Sequence, residues 1–216
     1  MLNRRLLTKA CALFLSVFFS IICNGYTASN EEIAMKKGRE YYDLGKYDEA
    51  ISEFSKAITI SPNLAKAYYD RGIAYNKKGN FDQAIIDASK AITLSPNDSG
   101  FFVARGLAYK LKGSLDYAIS DYNKAIALNP NDEYAFANRA VAFGRKHKDD
   151  QAILDFNKAI EINPNNGSIY ANRAIAYAQK KDYAKSWIDV HKAESLGNKV
   201  NPEFLANLKK FSGRES

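Results

Sequence analysis

Few side chains in this 216-residue chain are of the types that carry out catalysis or bind metal ions. The chain has two histidines, His147 and His191, and two cysteines, Cys11 and Cys23. A histidine serves as a metal ligand or general base only beside a partner that the fold holds close to it. Neither histidine has such a partner at a suitable spacing, and the glycines recur singly instead of forming a phosphate-binding loop. The sequence therefore predicts no catalytic residue, no metal site and no cofactor.

One set of charged residues recurs regularly and predicts ion pairs. A basic residue is followed sixteen positions later by an acidic one, and this arrangement returns every 34 residues. In a helical hairpin the two members would lie at the same level, so we predict a ladder of ion pairs within each repeat or to the adjacent one. A basic stripe that binds a ligand is the alternative. The basic members are Lys37, Arg71, Arg105, Arg139 and Arg173, and the acidic members are Glu53, Asp87, Asp121, Asp155 and Asp189.

The elements that must position these residues follow from the same 34-residue period, which begins at Glu31. A fixed period of this length indicates a stacked array, because each unit has an apolar face that only its neighbours can cover. Proline, alanine and aromatic residues mark the period: Pro62, Pro96, Pro130 and Pro164; Ala50, Ala84, Ala118 and Ala152; Ala57, Ala91, Ala125, Ala159 and Ala193; Tyr41, Tyr75, Tyr109, Phe143 and Tyr177.

Within each unit the residue types predict two helices joined by a tight turn. Gly45, Gly79 and Gly113 stand at the turn, where glycine adopts a left-handed conformation without steric cost. The fourth unit has residues 146–150 in place of this turn, and the fifth has Lys181. The recurring proline cannot extend the second helix, and the asparagine after it is expected to cap the next helix. Small residues should let the helices approach closely: Gly38, Gly72, Gly106, Ala140 and Ala174.

This pattern resembles the tetratricopeptide repeat family. The second unit carries the signature most fully, with Tyr68, Gly72, Tyr75, Ala84, Ala91 and Pro96. The resemblance extends from Glu31 to Val200 and implies an all-α fold, a right-handed α-solenoid of five helix-turn-helix repeats. We expect the repeats at residues 31–64, 65–98, 99–132, 133–166 and 167–200. A C-terminal capping helix is expected at residues 201–213, since Asn201 suits an N-cap and Pro202 the first helical position.

Stacked hairpins curve so that the first helix of each repeat lines the inner wall, as the resemblance also implies. Repeat positions two, five, six, nine, twelve and thirteen would then face a concave channel. Aliphatic residues at its centre, with amides and cations at the edges, suit an extended or helical peptide with apolar anchors. The alternative is that the aliphatic residues only pack against neighbouring helices. The candidate peptide-binding residues are Tyr69, Ile73, Asn76, Leu107, Lys110, Asn138, Val141, Arg145, Asn172 and Ile175.

The resemblance also allows one ligand class, the acidic tails of chaperones, to be checked against the sequence. Tetratricopeptide clamps for acidic chaperone tails use a lysine and an asparagine four residues apart, then an asparagine at position six of the next repeat. Asn138 and Asn172 occupy that sixth position, but the repeats before them offer only apolar residues at the first two clamp positions. Chaperone tails are therefore disfavoured, and the two asparagines remain candidates for hydrogen bonding to a peptide backbone.

The N-terminus predicts a secretory signal peptide over residues 1–25. Three basic residues up to Lys9 precede an uncharged apolar run, residues 10–23, and small residues follow. The run is shorter than the roughly 20 residues of a spanning helix. An uncleaved anchor, a lipidated Cys23 and twin-arginine export are the alternatives. Cleavage would remove both cysteines and lower the formal net charge from +7 to +4, since three of the 31 basic residues lie there.

Together these features predict an exported, non-enzymatic scaffold or adaptor, periplasmic or secreted, that binds a peptide or protein segment in its channel. A structural subunit of an envelope, pilus or secretion assembly, acting through its outer surface, is the alternative. Nucleic acid is disfavoured as a partner because the lysines are spread over the repeats. No stable membrane span is expected after cleavage, and self-association through an exposed end of the solenoid stays open.

Overall fold

The computed structural model describes residues 29–213, which form eleven α-helices and no β-strand. The predicted all-helical solenoid is thus confirmed, whereas the predicted signal peptide, residues 1–25, lies outside the described residues. The helices are α1 (Asn30–Asp43), α2 (Tyr47–Ile60), α3 (Ala65–Lys77), α4 (Phe81–Leu94), α5 (Ser99–Lys112), α6 (Leu115–Leu128), α7 (Glu133–Arg145), α8 (Asp149–Ile162), α9 (Gly167–Gln179), α10 (Tyr183–Ser195) and α11 (Pro202–Ser212).

The helices pack in chain order as a curved stack of hairpins. Each first helix packs along the second helix of its own repeat, and each second helix packs on the first helix of the next repeat. First helices of successive repeats also touch, as α3 touches α5 and α5 touches α7, while the second helices contact one another less. A stack whose first helices converge is curved with those helices on the inside. We call this inner face of α3, α5, α7 and α9 the channel.

Small residues allow the helices of a repeat to approach closely. Ala50 and Ala118 have no exposed surface, and the equivalent alanines of the other repeats are as deeply buried. A Cβ placed on Gly106 would lie 2.7 Å from the ring of the fully buried Tyr122, so only glycine fits there. Gly72 is less crowded, because a Cβ there would meet its nearest neighbour at 3.4 Å. Glycine at this repeat position is therefore crowded by a ring in the third repeat and has ordinary contacts in the second.

The turn between the helices is the same in all five repeats, although its sequence is not. The turn glycines have positive φ, for example +90° at Gly113, as predicted. His147 and Lys181 take their place with φ of +57° and +62°, a conformation that a side chain disfavours. The next amide still donates to the aromatic residue of the first helix, as Lys148 N–H does to the Phe143 carbonyl at 3.0 Å. Packing of the repeats therefore imposes the turn without glycine.

The predicted capping by the asparagine after each proline is wrong by one residue. Proline and asparagine together form the turn, so the N-cap is the residue that follows them. Asp132, for example, accepts hydrogen bonds from the amides of Tyr134 and Ala135 at 3.0 and 3.1 Å. The capping helix α11 follows the prediction: Asn201 caps its N-terminus, and Gly213 ends it with φ of +68°.

The predicted ion-pair ladder forms in four of the five repeats. Each arginine holds the carboxylate of its own repeat through two hydrogen bonds, as Arg139 does with Asp155 at 2.7 Å each. The third guanidinium nitrogen reaches the second helix of the preceding repeat, where Arg139 donates to Asn123 Oδ1 at 2.6 Å. We call these four pairs the core ladder: Arg71–Asp87, Arg105–Asp121, Arg139–Asp155 and Arg173–Asp189. Each guanidinium is held by an aspartate and by the preceding repeat, which favours the ion-pair ladder over the alternative of a ligand-binding basic stripe.

The first repeat departs from the core ladder. Lys37 stays exposed, and Glu53 pairs with Lys56 at 2.5 Å. The lysine ammonium is a single charge on a flexible side chain. Arginine instead has a planar guanidinium, which can bind a carboxylate through two nitrogens and a neighbouring helix through the third. The prediction of a pair between Lys37 and Glu53 is therefore wrong.

A second ladder, which was not predicted, joins the turns of successive repeats. Lysine at position fourteen of one repeat pairs with aspartate at position eighteen of the repeat before it, as Lys112 pairs with Asp82 at 2.5 Å. The aspartates of these pairs are exposed and the lysines partly so, and therefore water and salt screen the pairs and they contribute little to stability. This turn ladder comprises Lys78–Asp48, Lys112–Asp82, Lys146–Asp116 and Lys180–Asp150.

Candidate peptide-binding channel

The channel carries all of the candidate residues on four helices. None of them is fully buried, and Arg145 and Ile175 are exposed. They are Tyr69, Ile73 and Asn76 on α3, Leu107 and Lys110 on α5, Asn138, Val141 and Arg145 on α7, and Asn172 and Ile175 on α9. This placement follows from one helical face recurring every 34 residues.

A row of aliphatic side chains at repeat position nine runs along the channel. Its members are Ile73, Leu107, Val141 and Ile175. Val141 packs in part on the core of its repeat, beside Ala140 and Phe156, whereas 39% of Ile175 is exposed. The row is therefore divided between packing and solvent, and each member keeps apolar surface that another molecule could cover.

Polar contacts connect three candidate residues at the centre of the channel. The Lys110 ammonium donates to Asn138 Oδ1 at 2.6 Å, and the Asn138 amide donates to the Tyr134 carbonyl at 2.8 Å. The Arg145 guanidinium donates to the backbone carbonyl of Lys110 at 2.7 Å. Burial, and then the charge of Arg145, lower the pKa of Lys110. Two cations thus lie close together where α5 meets α7.

At its N-terminal end the channel is lined by aromatic rings and neutralised charges. Tyr69 packs on Phe101 with ring centroids 5.2 Å apart, and the Lys66 ammonium lies 4.0 Å from the centre of the Tyr69 ring. Burial is the main cause that raises the pKa of Tyr69. Asp70 accepts from Arg39 at 2.9 Å and lies 3.5 Å from Lys66. A cleft of about 410 Å³ opens between these side chains.

Asn76 stands one repeat before Lys110 at the same repeat position. Its side-chain oxygen is buried and has no hydrogen-bond partner among the described residues. A buried amide oxygen without a partner is uncommon, because it loses its hydration without compensation.

A small pocket of about 150 Å³ opens in the channel between α7 and α9. Ala140, Phe156 and Ala176 form its apolar floor, and its rim includes Val141, Gly144, Arg145, Asn172, Ile175 and Gln179. Gly144 creates the opening, because a Cβ placed on it would meet no atom within 4 Å. Gly144 was not among the predicted site residues; its signal is a glycine at repeat position twelve, where the neighbouring repeats have Lys110 and Ala178.

In the part of the chain that the structure describes, side chains with catalytic potential are not brought together. His147 occupies the turn after α7, and His191 lies exposed beside Trp187, with ring centroids 5.7 Å apart. Within residues 29–213 no three His, Cys, Asp or Glu side chains are grouped as metal ligands would be. Over the same residues every helix is too short or too polar to cross a lipid bilayer.

Several solved structures share this architecture. MamA is 24% identical with a TM-score of 0.65, over 74% of this chain and 94% of its own. YrrB, described as a tetratricopeptide protein with an unusual peptide-binding site, is 21% identical with a TM-score of 0.59, over 76% of this chain and 84% of its own. PilF of Pseudomonas aeruginosa is 18% identical with a TM-score of 0.76, over 85% of each chain. At these identities the likeness shows a common fold.

Sequence comparison gives the family. No curated protein sequence matches the chain. Models described as tetratricopeptide or TPR repeats match residues 38–79, 65–98, 106–147, 133–166 and 156–187. Together these matches cover more than half of the chain, and they fall on the stacked hairpins of the structure. The chain therefore belongs to the tetratricopeptide repeat family, whose members act as protein-interaction scaffolds.

Proposed function

We propose that this chain is an exported scaffold that binds a peptide or protein segment in its concave channel. The observation that carries the proposal is the aliphatic row at repeat position nine, from Ile73 to Ile175, which keeps exposed apolar surface beside polar groups. Burying apolar surface supplies affinity, and the flanking amides and cations orient a bound backbone. YrrB, with a similar fold and a described peptide-binding site, supports the same class of ligand.

Export is the second part of the proposal. A basic head, an apolar run and small residues over residues 1–25 are the features of a cleaved leader. We propose a periplasmic or secreted mature chain, and mass measurement of its N-terminus tests this. Loss of residues 1–25 supports the proposal. A lipid on Cys23 would place the chain at a membrane instead, and an intact N-terminus would contradict a cleaved leader.

Binding in the channel is tested by capturing partners in the native cell. We would crosslink the full chain and a variant in which Ile73→Ser, Leu107→Ser and Asn138→Ala are combined. The partner should be lost in this channel variant while circular dichroism shows that its helices persist. Retention of the partner would refute the channel as the binding surface.

An outer surface is the second candidate, and one observation favours it. Ile86, Leu154 and Ile188 share repeat position 22 on second helices, and 58–68% of each is exposed. Such residues suit a structural subunit of an envelope, pilus or secretion assembly. Changing these three residues to serine is the matched control in the capture experiment. If only this variant loses the partner, the outer surface and not the channel is the binding surface.

A further inference from the structure

The centre of the channel carries two cations without a carboxylate. Neither Lys110 nor Arg145 forms an ion pair with any described residue; the side chain of Lys110 has an amide acceptor, and Arg145 has a backbone carbonyl. Elsewhere on the first helices most cations are neutralised: Arg39 and Lys66 share Asp70, and the arginines of the core ladder each hold an aspartate. Lys37 and Lys77 also lack an ion pair among the described residues, but each is exposed and stands alone. Lys110 and Arg145 are the two unpaired cations that lie close together, where α5 meets α7.

This pair is ready to accept an anion. The Arg145 guanidinium donates to the Lys110 carbonyl through one nitrogen, so its other N–H groups can grip a carboxylate. The Asn138 oxygen holds the Lys110 ammonium near α7. The Lys110 ammonium is half-buried, which removes part of its hydration, and it is repelled by the charge of Arg145. A bound anion would offset both effects.

The pocket beside the pair suits one apolar side chain. Its floor is made of Ala140, Phe156 and Ala176, and its volume is about 150 Å³. An apolar cavity of roughly this volume accepts a benzene-sized group. Arg145 belongs both to the cation pair and to the rim of the pocket. A ligand that fills both places must therefore carry its anion and its apolar group close together.

We infer that this part of the channel recognises an acidic residue adjacent, or next but one, to an aliphatic residue within a partner segment. The acidic side chain binds Lys110 and Arg145, and the aliphatic side chain enters the pocket at Gly144. The inference rests on the proposed function and extends it by naming the chemistry of the bound segment.

The test uses a random-peptide display library, followed by synthetic, end-capped versions of the selected peptides. End-capping removes the terminal carboxylate, so an acidic preference must come from a side chain. Selection is run on the wild type, on Lys110→Met combined with Arg145→Gln, and on Gly144→Leu. Lys77→Met is the control for charge, because Lys77 is an exposed cation on α3 at the repeat position of Arg145. Gly144→Ala is the control for the pocket, because it adds one methyl group to the same helix.

Wild-type selection should enrich glutamate or aspartate next to leucine, isoleucine or valine. Replacing that glutamate by glutamine should weaken binding about tenfold or more. In the variant that combines Lys110→Met with Arg145→Gln, the glutamate and glutamine peptides should bind about equally. In Lys77→Met the glutamate peptide should still bind more tightly than the glutamine peptide. Replacing the aliphatic residue of the peptide by alanine should weaken its binding to the wild type about tenfold. The same replacement should leave the affinity of Gly144→Leu almost unchanged. Gly144→Leu should melt no lower than the wild type, since leucine favours a helix more than glycine does.

The outcomes separate this inference from the proposed function. Peptides that bind in the channel without an acidic preference, or with a preference that survives loss of both cations, would overturn the inference and leave the proposed function standing. Equal binding of the aliphatic and alanine peptides by the wild type would overturn the role of the pocket. Failure to select any peptide would count against both.

Discussion

Removing one arginine of the core ladder should strongly destabilise the array. Arg139 holds Asp155 through two hydrogen bonds of 2.7 Å and also binds Asn123 of the preceding repeat. Only 10% of the Asp155 side chain is exposed, so Arg139→Met leaves a buried carboxylate without its partner. Breaking a buried pair from one side costs about 3–5 kcal/mol. That loss would be a large part of the roughly 5–15 kcal/mol that stabilises a typical domain.

The matched control comes from the chain itself. Lys37 stands at the same repeat position as Arg139 but is exposed and leaves Glu53 to Lys56. Lys37→Met should therefore change the free energy of unfolding by less than about 0.5 kcal/mol. Adding Asp155→Ala to Arg139→Met should recover at least about 1 kcal/mol, because the unpaired carboxylate is then gone.

Urea unfolding followed by circular dichroism and by the fluorescence of Trp187 measures these effects. Trp187 is the only tryptophan and is buried in the fifth repeat. Repeat arrays can unfold in parts, so the two signals must coincide before a single free energy is assigned. A loss below about 1 kcal/mol for Arg139→Met, the range of exposed pairs, would refute the reasoning. A double variant no more stable than Arg139→Met would refute the role assigned to the buried carboxylate.

Three further predictions use the same unfolding assay. Tyr122→Phe should be neutral or stabilise the chain by up to about 1 kcal/mol, because the Tyr122 hydroxyl is buried without a partner among the described residues; a clear loss would indicate a hydrogen bond to that hydroxyl. His147→Gly should stabilise the chain by about 0.5–1 kcal/mol and Gly113→Ala should destabilise it by a similar amount or more, because both positions have positive φ; opposite signs would exclude turn strain as the cause. Gly106→Ala should cost about 1–3 kcal/mol through its contact with a buried ring, while Gly72→Ala should be neutral or stabilising; equal effects would show that the ring moves aside freely.

Repetition explains why so much of the fold could be predicted. The pairing of Arg139 with Asp155 follows from a sixteen-residue spacing within one hairpin, and the four repeats that have arginine and aspartate at this spacing form the pair. The turn at Gly113 could be predicted because one backbone position in it has a positive φ, which glycine adopts without steric cost. Both features are local, because the residues that form them lie within one repeat. The same geometry then recurs in each repeat that has the same residue types.

Contacts between repeats were harder to predict. Lys112 and Asp82 pair across a repeat boundary, and their thirty-residue spacing becomes meaningful only when the offset between stacked hairpins is known. The capping residue was misplaced because the length of the turn after each proline was unknown. A shift of one residue moved the cap from Asn131 to Asp132.

The sequence by itself determined the helical repeats, the inward face of each first helix and the list of residues on that face, because 34-residue periodicity and helical geometry suffice for these. Tertiary structure alone decided which of those residues meet. Lys110 and Arg145 lie 35 residues apart and touch only after α5 and α7 have stacked. The pocket at Gly144 exists because two helices leave space around a missing side chain. Curvature and offset of the stack set these distances, and they arise from the packing of all repeats together.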